Sequence, residues 1–321
     1  PTLGPGNTGD YTFAVPINVT GNTNLTLKVW GVNANGLGAD INTSNDTLTR
    51  NLCTGLSGVY TVGGSLANFP TITAAVNALN TCGITGSVTF QINDGTYYGS
   101  YNIGNVPGAG GTNQITFVSA SGIAQNVVLI QDTVTPISGA RNHFTVNVPN
   151  VTFNGLTFTR TVIGTALSGC VFANAGATGV TITSCRFIDQ SASSSTFNQA
   201  VRIEAANFAN ITGNYFDGFY YDIFANGITT NSAYTQGLVV AANIMENYRY
   251  GFYGINQSAI SVVGNTLNNV NSASTFGYGL YTSRTIGLDM SNNKVLGRIG
   301  NMGIYIINPN RDTANFTQNR V

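Results

Sequence analysis

Charge is what this chain has least of. Its 321 residues carry 12 basic side chains, 12 acidic ones and a single histidine, so charged residues make up 7%, against about 25% in an ordinary soluble domain. Only two lysines (Lys28, Lys294) and two glutamates (Glu204, Glu246) occur. Zero net charge excludes an electrostatic nucleic-acid binder, which needs a basic face to displace counterions. Long apolar runs are missing too. No stretch of about 18 apolar residues exists, which excludes a membrane-spanning helix. The opening PTLGPGNTGDYTF has neither an initiator Met nor a signal-peptide pattern, so the chain reads as a segment of a longer, processed polypeptide.

Neutral polarity takes the place of charge: 42 Asn and 41 Thr stand beside 39 Gly. Disorder is excluded, because 17 Phe, 15 Tyr and abundant Val and Ile can bury a core. Four cysteines in so neutral a chain point to an oxidising, extracellular setting.

Three organisational zones follow. Residues 1–52 read as short strands (Tyr11–Val19, Leu25–Val32, Thr47–Leu52), too few to close a sandwich alone, and therefore as the C-terminal part of an immunoglobulin-like β-sandwich. Residues 53–85 form a linker and a helix. Phe69, Ile72, Val76 and Leu79 recur at helical spacing, Pro70 suits the start and Gly83 the end. Cys53 and Cys82 flank this unit, and a bridge between them would staple it. Cys170 and Cys185 are left open between a disulfide and two buried thiols.

From residue 86 to 321 the chain repeats. One apolar column runs Phe90, Phe117, Phe144, Phe172, Val201, Ile223, Phe252, Leu280, Ile304, with gaps of 22 to 29 residues. A second runs Phe153, Ile182, Ile211, Val240, Val262, Met290, Phe316; three positions on from the last five of these stand Asn214, Asn243, Asn265, Asn293 and Asn319. Strands at a period near 27 bury their inner faces only by stacking as coils. The fold expected is all-β: a parallel β-helix of about nine coils with an N-terminal capping helix, a rod on the order of 40 Å long. The asparagines form a ladder at one turn position, where Asn also tolerates left-handed backbone.

This pattern resembles the right-handed parallel β-helix of the pectin-lyase-like superfamily. TITAAVNAL followed by GSVTFQINDGTYYGSYNI looks like the capped start of that fold, and the endings GNYF, GNTL and QNRV look like its generic repeats. With SNDTLTRNLC and GVYTVGG before it, the chain is similar to multidomain surface proteins of Bacteroidetes that join immunoglobulin-like modules to β-helices and leave by the type IX system. That resemblance implies O-glycosylation at Asp-(Ser/Thr)-aliphatic motifs, here at Thr47, Thr133 and Thr313.

The resemblance also raises an enzyme reading, since many β-helices act on polyuronides with clustered carboxylates, Ca²⁺ or a basic residue. The best catalytic constellation here is Arg202 with Glu204 and Asp222, although Arg202 and Glu204 also suit a simple surface ion pair. His143, beside core Phe144, reads as an exposed strand residue. No cofactor is required; Ca²⁺ is the one the chain could take, at Asp40, Asn42, Asn45 and Asp46, a spacing that equally suits an Asx-rich turn. Aromatics offer the stronger lead. One residue after the core column come Phe224, Tyr253, Tyr281 and Tyr305, following Ala173 and Arg202, and two residues before it Tyr221, Tyr250 and Tyr278. Exposed aromatics bind sugar rings or stabilise themselves by stacking. The reading is thus a non-catalytic, extracellular segment acting as adhesin or filament component. Its partners would be cell-surface glycans, proteins or copies of itself, and neither nucleic acid nor membrane. The alternative is a polysaccharide-active β-helix enzyme.

Overall fold

The structure is a computed structural model, and it describes residues 25–30, 47–131, 141–161, 168–190, 198–228, 234–269, 277–297, 302–307 and 314–321. The chain divides into two compact units, Pro1–Thr54 and Gly55–Val321. Of the first, the described part is one antiparallel pair, Leu25–Trp30 with Thr47–Leu52. The expected strand at 11–19, the oxygen-rich loop Asp40, Asn42, Asn45 and Asp46, and Thr133 and Thr313 lie outside the described residues; Thr47 is exposed.

The second unit is a parallel β-solenoid, consistent with a right-handed parallel β-helix. Each turn contributes a strand to three successive faces. The first face stacks Phe90, Phe117, Phe153, Ile182, Ile211, Val240, Val262 and Met290 in register. The second stacks Leu129, Phe158, Phe187, Phe216, Met245, Leu267 and Val295. The third stacks Tyr101, Phe144, Val171, Val201, Ile223, Phe252, Leu280 and Ile304. All these side chains except Ile304 are buried. Phenylalanines repeat at the coil spacing as ring stacks inside, with Phe158, Phe187 and Phe216 4.9 and 4.8 Å apart and nearly parallel.

This register corrects the expected coil count. There are about seven turns, not nine, giving a rod of about 35 Å. The step from Phe117 to its true partner Phe153 is 36 residues (153 − 117). A constant period of 27 lands instead on Phe144, also inward and aromatic, but on the third face. The apolar column therefore slid from one face to another. It also slipped by one at Phe172, which pairs with Thr145 and Arg202 and points outward, while Val171 and Ala173 are buried.

The capping helix spans Ile72–Cys82. Pro70 lies outside it; the N-cap is Thr71, whose hydroxyl accepts from the Ala74 N–H at 3.1 Å. Gly83 closes it at φ 70°, and a Cβ there would meet the Pro107 carbonyl oxygen at 2.3 Å, so only glycine fits. The helix buries Ile72, Ala75, Val76 and Leu79 in the same cluster as Tyr60, Phe90 and Ile103 of the first turn. Phe69 packs beside them, 5.5 Å from Tyr60 and 5.9 Å from Phe90. Cys53 and Cys82 are disulfide-bonded, whereas Cys170 and Cys185 are buried free thiols.

Between the first and second faces the chain turns on two residues. The first is left-handed in every turn from Gly155 onward: Gly155, Ser184, Gly213, Ala242, Gly264, Asn292 and Gln318 have φ between 53° and 67°. The second is Leu156, Cys185 and then the five asparagines of the ladder. The left-handed residue is thus the one before each Asn, not the Asn itself, which corrects the expected role of that conformation. Asn214, Asn243 and Asn265 each donate from the side-chain amide to a first-face carbonyl and to the Oδ1 of the next Asn, at 2.9–3.0 Å. The ladder starts on the backbone N–H of Cys185, which donates to Asn214 Oδ1 at 2.9 Å.

Candidate functional site

The third face carries the candidate surface, and one irregularity shapes it. Strict alternation would send Tyr221 inward with Ile223. Instead two consecutive residues point inward in each turn: His143 and Phe144, Cys170 and Val171, Ala200 and Val201, Asp222 and Ile223, Gly251 and Phe252, Gly279 and Leu280. Residues three apart therefore emerge together. Tyr221 and Phe224, Tyr250 and Tyr253, and Tyr278 and Tyr281 flank the strand on its outer side, all half-buried.

Stacking in register turns these pairs into two ladders. In one, Phe224, Tyr253 and Tyr281 lie within 3° of parallel, at 5.4 and 4.3 Å, and Tyr305 follows at 5.7 Å. In the other, Tyr221, Tyr250 and Tyr278 are 4.8 and 5.3 Å apart and tilted by about 20°. The ladders meet edge to face, at 71° between Tyr221 and Phe224, 89° between Tyr250 and Tyr253, and 70° between Tyr278 and Tyr281. Both geometries suit the ring quadrupole, each pair contributing about 0.5–1.5 kcal/mol beyond burial. Ring faces are covered by neighbouring rings, so this surface offers ring edges and phenol groups. Burial pushes the Tyr221 phenol up, and burial followed by the neighbouring Tyr281 raises Tyr253 to about 12. These phenols stay neutral through physiological pH and act as hydrogen-bonding groups.

Arg202 continues the first ladder. Its guanidinium lies 4.9 Å from the Phe172 ring on one side and 5.7 Å from Phe224 on the other. It also makes a two-pronged contact with Glu204, Nε and Nη2 reaching Oε2 at 2.8 and 2.7 Å, and Asn226 donates to the other oxygen at 2.6 Å. Arg249 lies 4.9 Å over Tyr220. A cation held over aromatic faces is attracted by them.

The third member of the sequence-level constellation is elsewhere. Asp222 points into the coil, is fully buried, and neither carboxyl oxygen has a hydrogen-bond partner. Burial first, then nearby Asp217, pushes its pKa well above the carboxylate range. Arg202 and Glu204 meet on the outside; Asp222 does not join them. Among the described residues no group of three or more His, Cys, Asp or Glu could hold a metal.

His143 is fully buried, not exposed. The pair of consecutive inward residues places it inside beside Phe144, where its Nε2 lies 3.1 Å from the carbonyls of Leu129 and Thr159. Burial lowers its pKa to about 4. Arg160 and Asp189 form a wholly buried ion pair at 3.0 Å, joined by Asn198 at 3.0 Å. Sequence reading missed this network because nothing in LTFTR marks Arg160 as inward. It also missed a second, shorter ladder, in which Asn147 donates to Asn102 and Asn174 to Asn147.

The geometry is that of a parallel β-solenoid with three strand faces. No family model matches the sequence, and no curated protein matches it. Among solved structures the chain is similar to a rhamnogalacturonan lyase (14% identity, 82% of this chain and 87% of that one, TM-score 0.49). It is similar also to the PL6 family alginate lyase AlyGC (10% identity, 84% and 40%, TM-score 0.48) and to a rice weevil pectin methyl esterase (13% identity, 77% and 87%, TM-score 0.39).

Proposed function

We propose that this chain is a non-catalytic segment of a secreted or cell-surface protein that meets its partner, a surface glycan or protein, along the aromatic third face. The observation that carries this is the double ladder of Phe224, Tyr253, Tyr281 and Tyr305 with Tyr221, Tyr250 and Tyr278, half-exposed over four successive turns. Tyrosine offers rigid contact area at low conformational cost and is enriched in recognition surfaces. Since ring faces are taken by neighbours, a partner is read through ring edges and hydroxyls.

Two observations favour binding over catalysis. Arg202 is neutralised by Glu204, and Asp222 lies on the other side of the sheet. The disulfide-bonded Cys53 and Cys82 support an extracellular setting. An immunoglobulin-like module over residues 1–52, type IX export and O-glycosylation at exposed Thr47 belong to the same proposal and rest on the sequence resemblance.

The test pairs glycan-array binding and self-association of the wild type with the double variant Tyr253→Ala/Tyr281→Ala. Binding should disappear while the melting temperature falls only modestly. A collapse in melting temperature with no binding in the wild type would leave the ladders a purely structural device. Cleavage of acidic polysaccharides, assayed with and without Ca²⁺, would favour the enzyme reading instead.

A further inference from the structure

We propose that Tyr253 and Tyr281 are a site of oxidative cross-linking, joined by hydrogen peroxide and a one-electron oxidant into a dityrosine that ties two successive turns together. Besides the inward Tyr101, seven of the chain's 15 tyrosines cluster along the third face, each with a ring centroid no more than 5.2 Å from another. Within that face Tyr253 and Tyr281 are the closest pair, 4.3 Å apart and 3° from parallel. They are strand partners in register, so the backbone holds them about 4.8 Å apart. Phe224, on the other side of Tyr253, has no phenol to oxidise. Tyr221 and Tyr250 are further apart, at 4.8 Å and 20°.

The chemistry balances. Each phenol gives up its O–H hydrogen as a proton and an electron. The two phenoxyl radicals join through one Cε carbon of each ring, forming a carbon–carbon bond. The ring hydrogens at those carbons pass through solvent to the oxygens, restoring both hydroxyls. Two hydrogens leave in all, and hydrogen peroxide takes them up as its O–O bond breaks to give two waters. The oxidant reaches the half-exposed ring edges from outside. Buried Cys170 and Cys185 do not compete for it.

The experiment treats the intact protein with a haem peroxidase and hydrogen peroxide. Arg249 and Arg284 bound a tryptic peptide, residues 250–284, that contains both tyrosines. Dityrosine fluorescence is expected, with that peptide lighter by two hydrogens and fragmentation placing the link between 253 and 281. The signal should fall to background in Tyr253→Phe and in Tyr281→Phe, which keep the stacked rings, and persist in Tyr221→Phe. Absence of dityrosine, coupling only between separate chains, or a signal that survives both Phe variants overturns the proposal.

Discussion

The backbone N–H and the side-chain amide of Asn243 both donate to a single atom, Oδ1 of Asn265, each at 3.0 Å. Asn265 does the same to Asn293 and also donates to the Val240 carbonyl at 2.9 Å. Replacing Asn265 by Leu removes one acceptor that serves two buried donors. A loss of about 1–3 kcal/mol is expected. Asn319 is half-buried, so its replacement should cost less. Asn268, half-buried and off the ladder, serves as the control and should stay within about 0.5 kcal/mol. Denaturant titration of the three variants decides: equal losses at 265 and 268 would sink the ladder's energetic role.

Ala242 occupies the left-handed turn position at φ 53°, where neighbouring turns use Gly213 and Gly264. An L-residue with a Cβ pays roughly 1–2 kcal/mol there, partly offset by the roughly 0.5–1 kcal/mol that glycine loses in chain entropy. Ala242→Gly should therefore stabilise by about 0.5–1 kcal/mol, and Gly264→Ala should destabilise by a similar amount. Thermal unfolding of both variants checks the sign.

Asp222 is buried with its pKa raised, so the folded state holds a proton that the unfolded state releases. Stability from this group is greatest below the ordinary carboxylate pKa and falls as pH rises above it. Asp222→Asn should be more stable than wild type near neutral pH and gain little near pH 3, a number on the order of the unfolded carboxylate pKa. A gain independent of pH would show that shape, not ionisation, sets the cost.

His143 acts in the opposite direction. Its folded pKa of about 4 lies below the ordinary 6.5, so the unfolded state binds the proton more readily. Stability is complete above 6.5 and is lost as pH falls towards 4, by about 3 kcal/mol in total. Unfolding free energies of wild type and His143→Gln across this window test it; a variant that keeps the acid slope would assign that slope to another group.

From Phe153 onward the first-to-second-face turn was legible in its spacing, which repeats that of Phe153, Leu156 and Phe158 in each turn, but not in which of its residues is left-handed. The third face was legible only in part. The turn that starts at Phe117 takes 12 residues to reach Leu129 on the second face, against five from Phe153 to Phe158, so a fixed period drifted from Phe117 to Phe144. Two consecutive inward residues also break the alternation that a strand pattern assumes. That break hid Asp222 and His143 inside, and it placed Tyr221 beside Phe224 for a reason alternation does not supply. Arg160 and Asp189 escaped notice because charge in a strand is read as outward, and only their pairing makes burial tolerable.

The asparagine ladder has a direction. The side-chain amides of Asn214, Asn243, Asn265 and Asn293 each donate to the following turn, and the ladder's beginning needs nothing more than the peptide N–H of Cys185. A turn of this stretch is therefore a module. It can be lost or duplicated without redesigning its neighbours, provided the copy brings one carboxamide to the same corner. Because the upstream neighbour need contribute only main chain there, such a run can be started against any sequence, which is how Leu156 and Cys185 come to share the column with five asparagines.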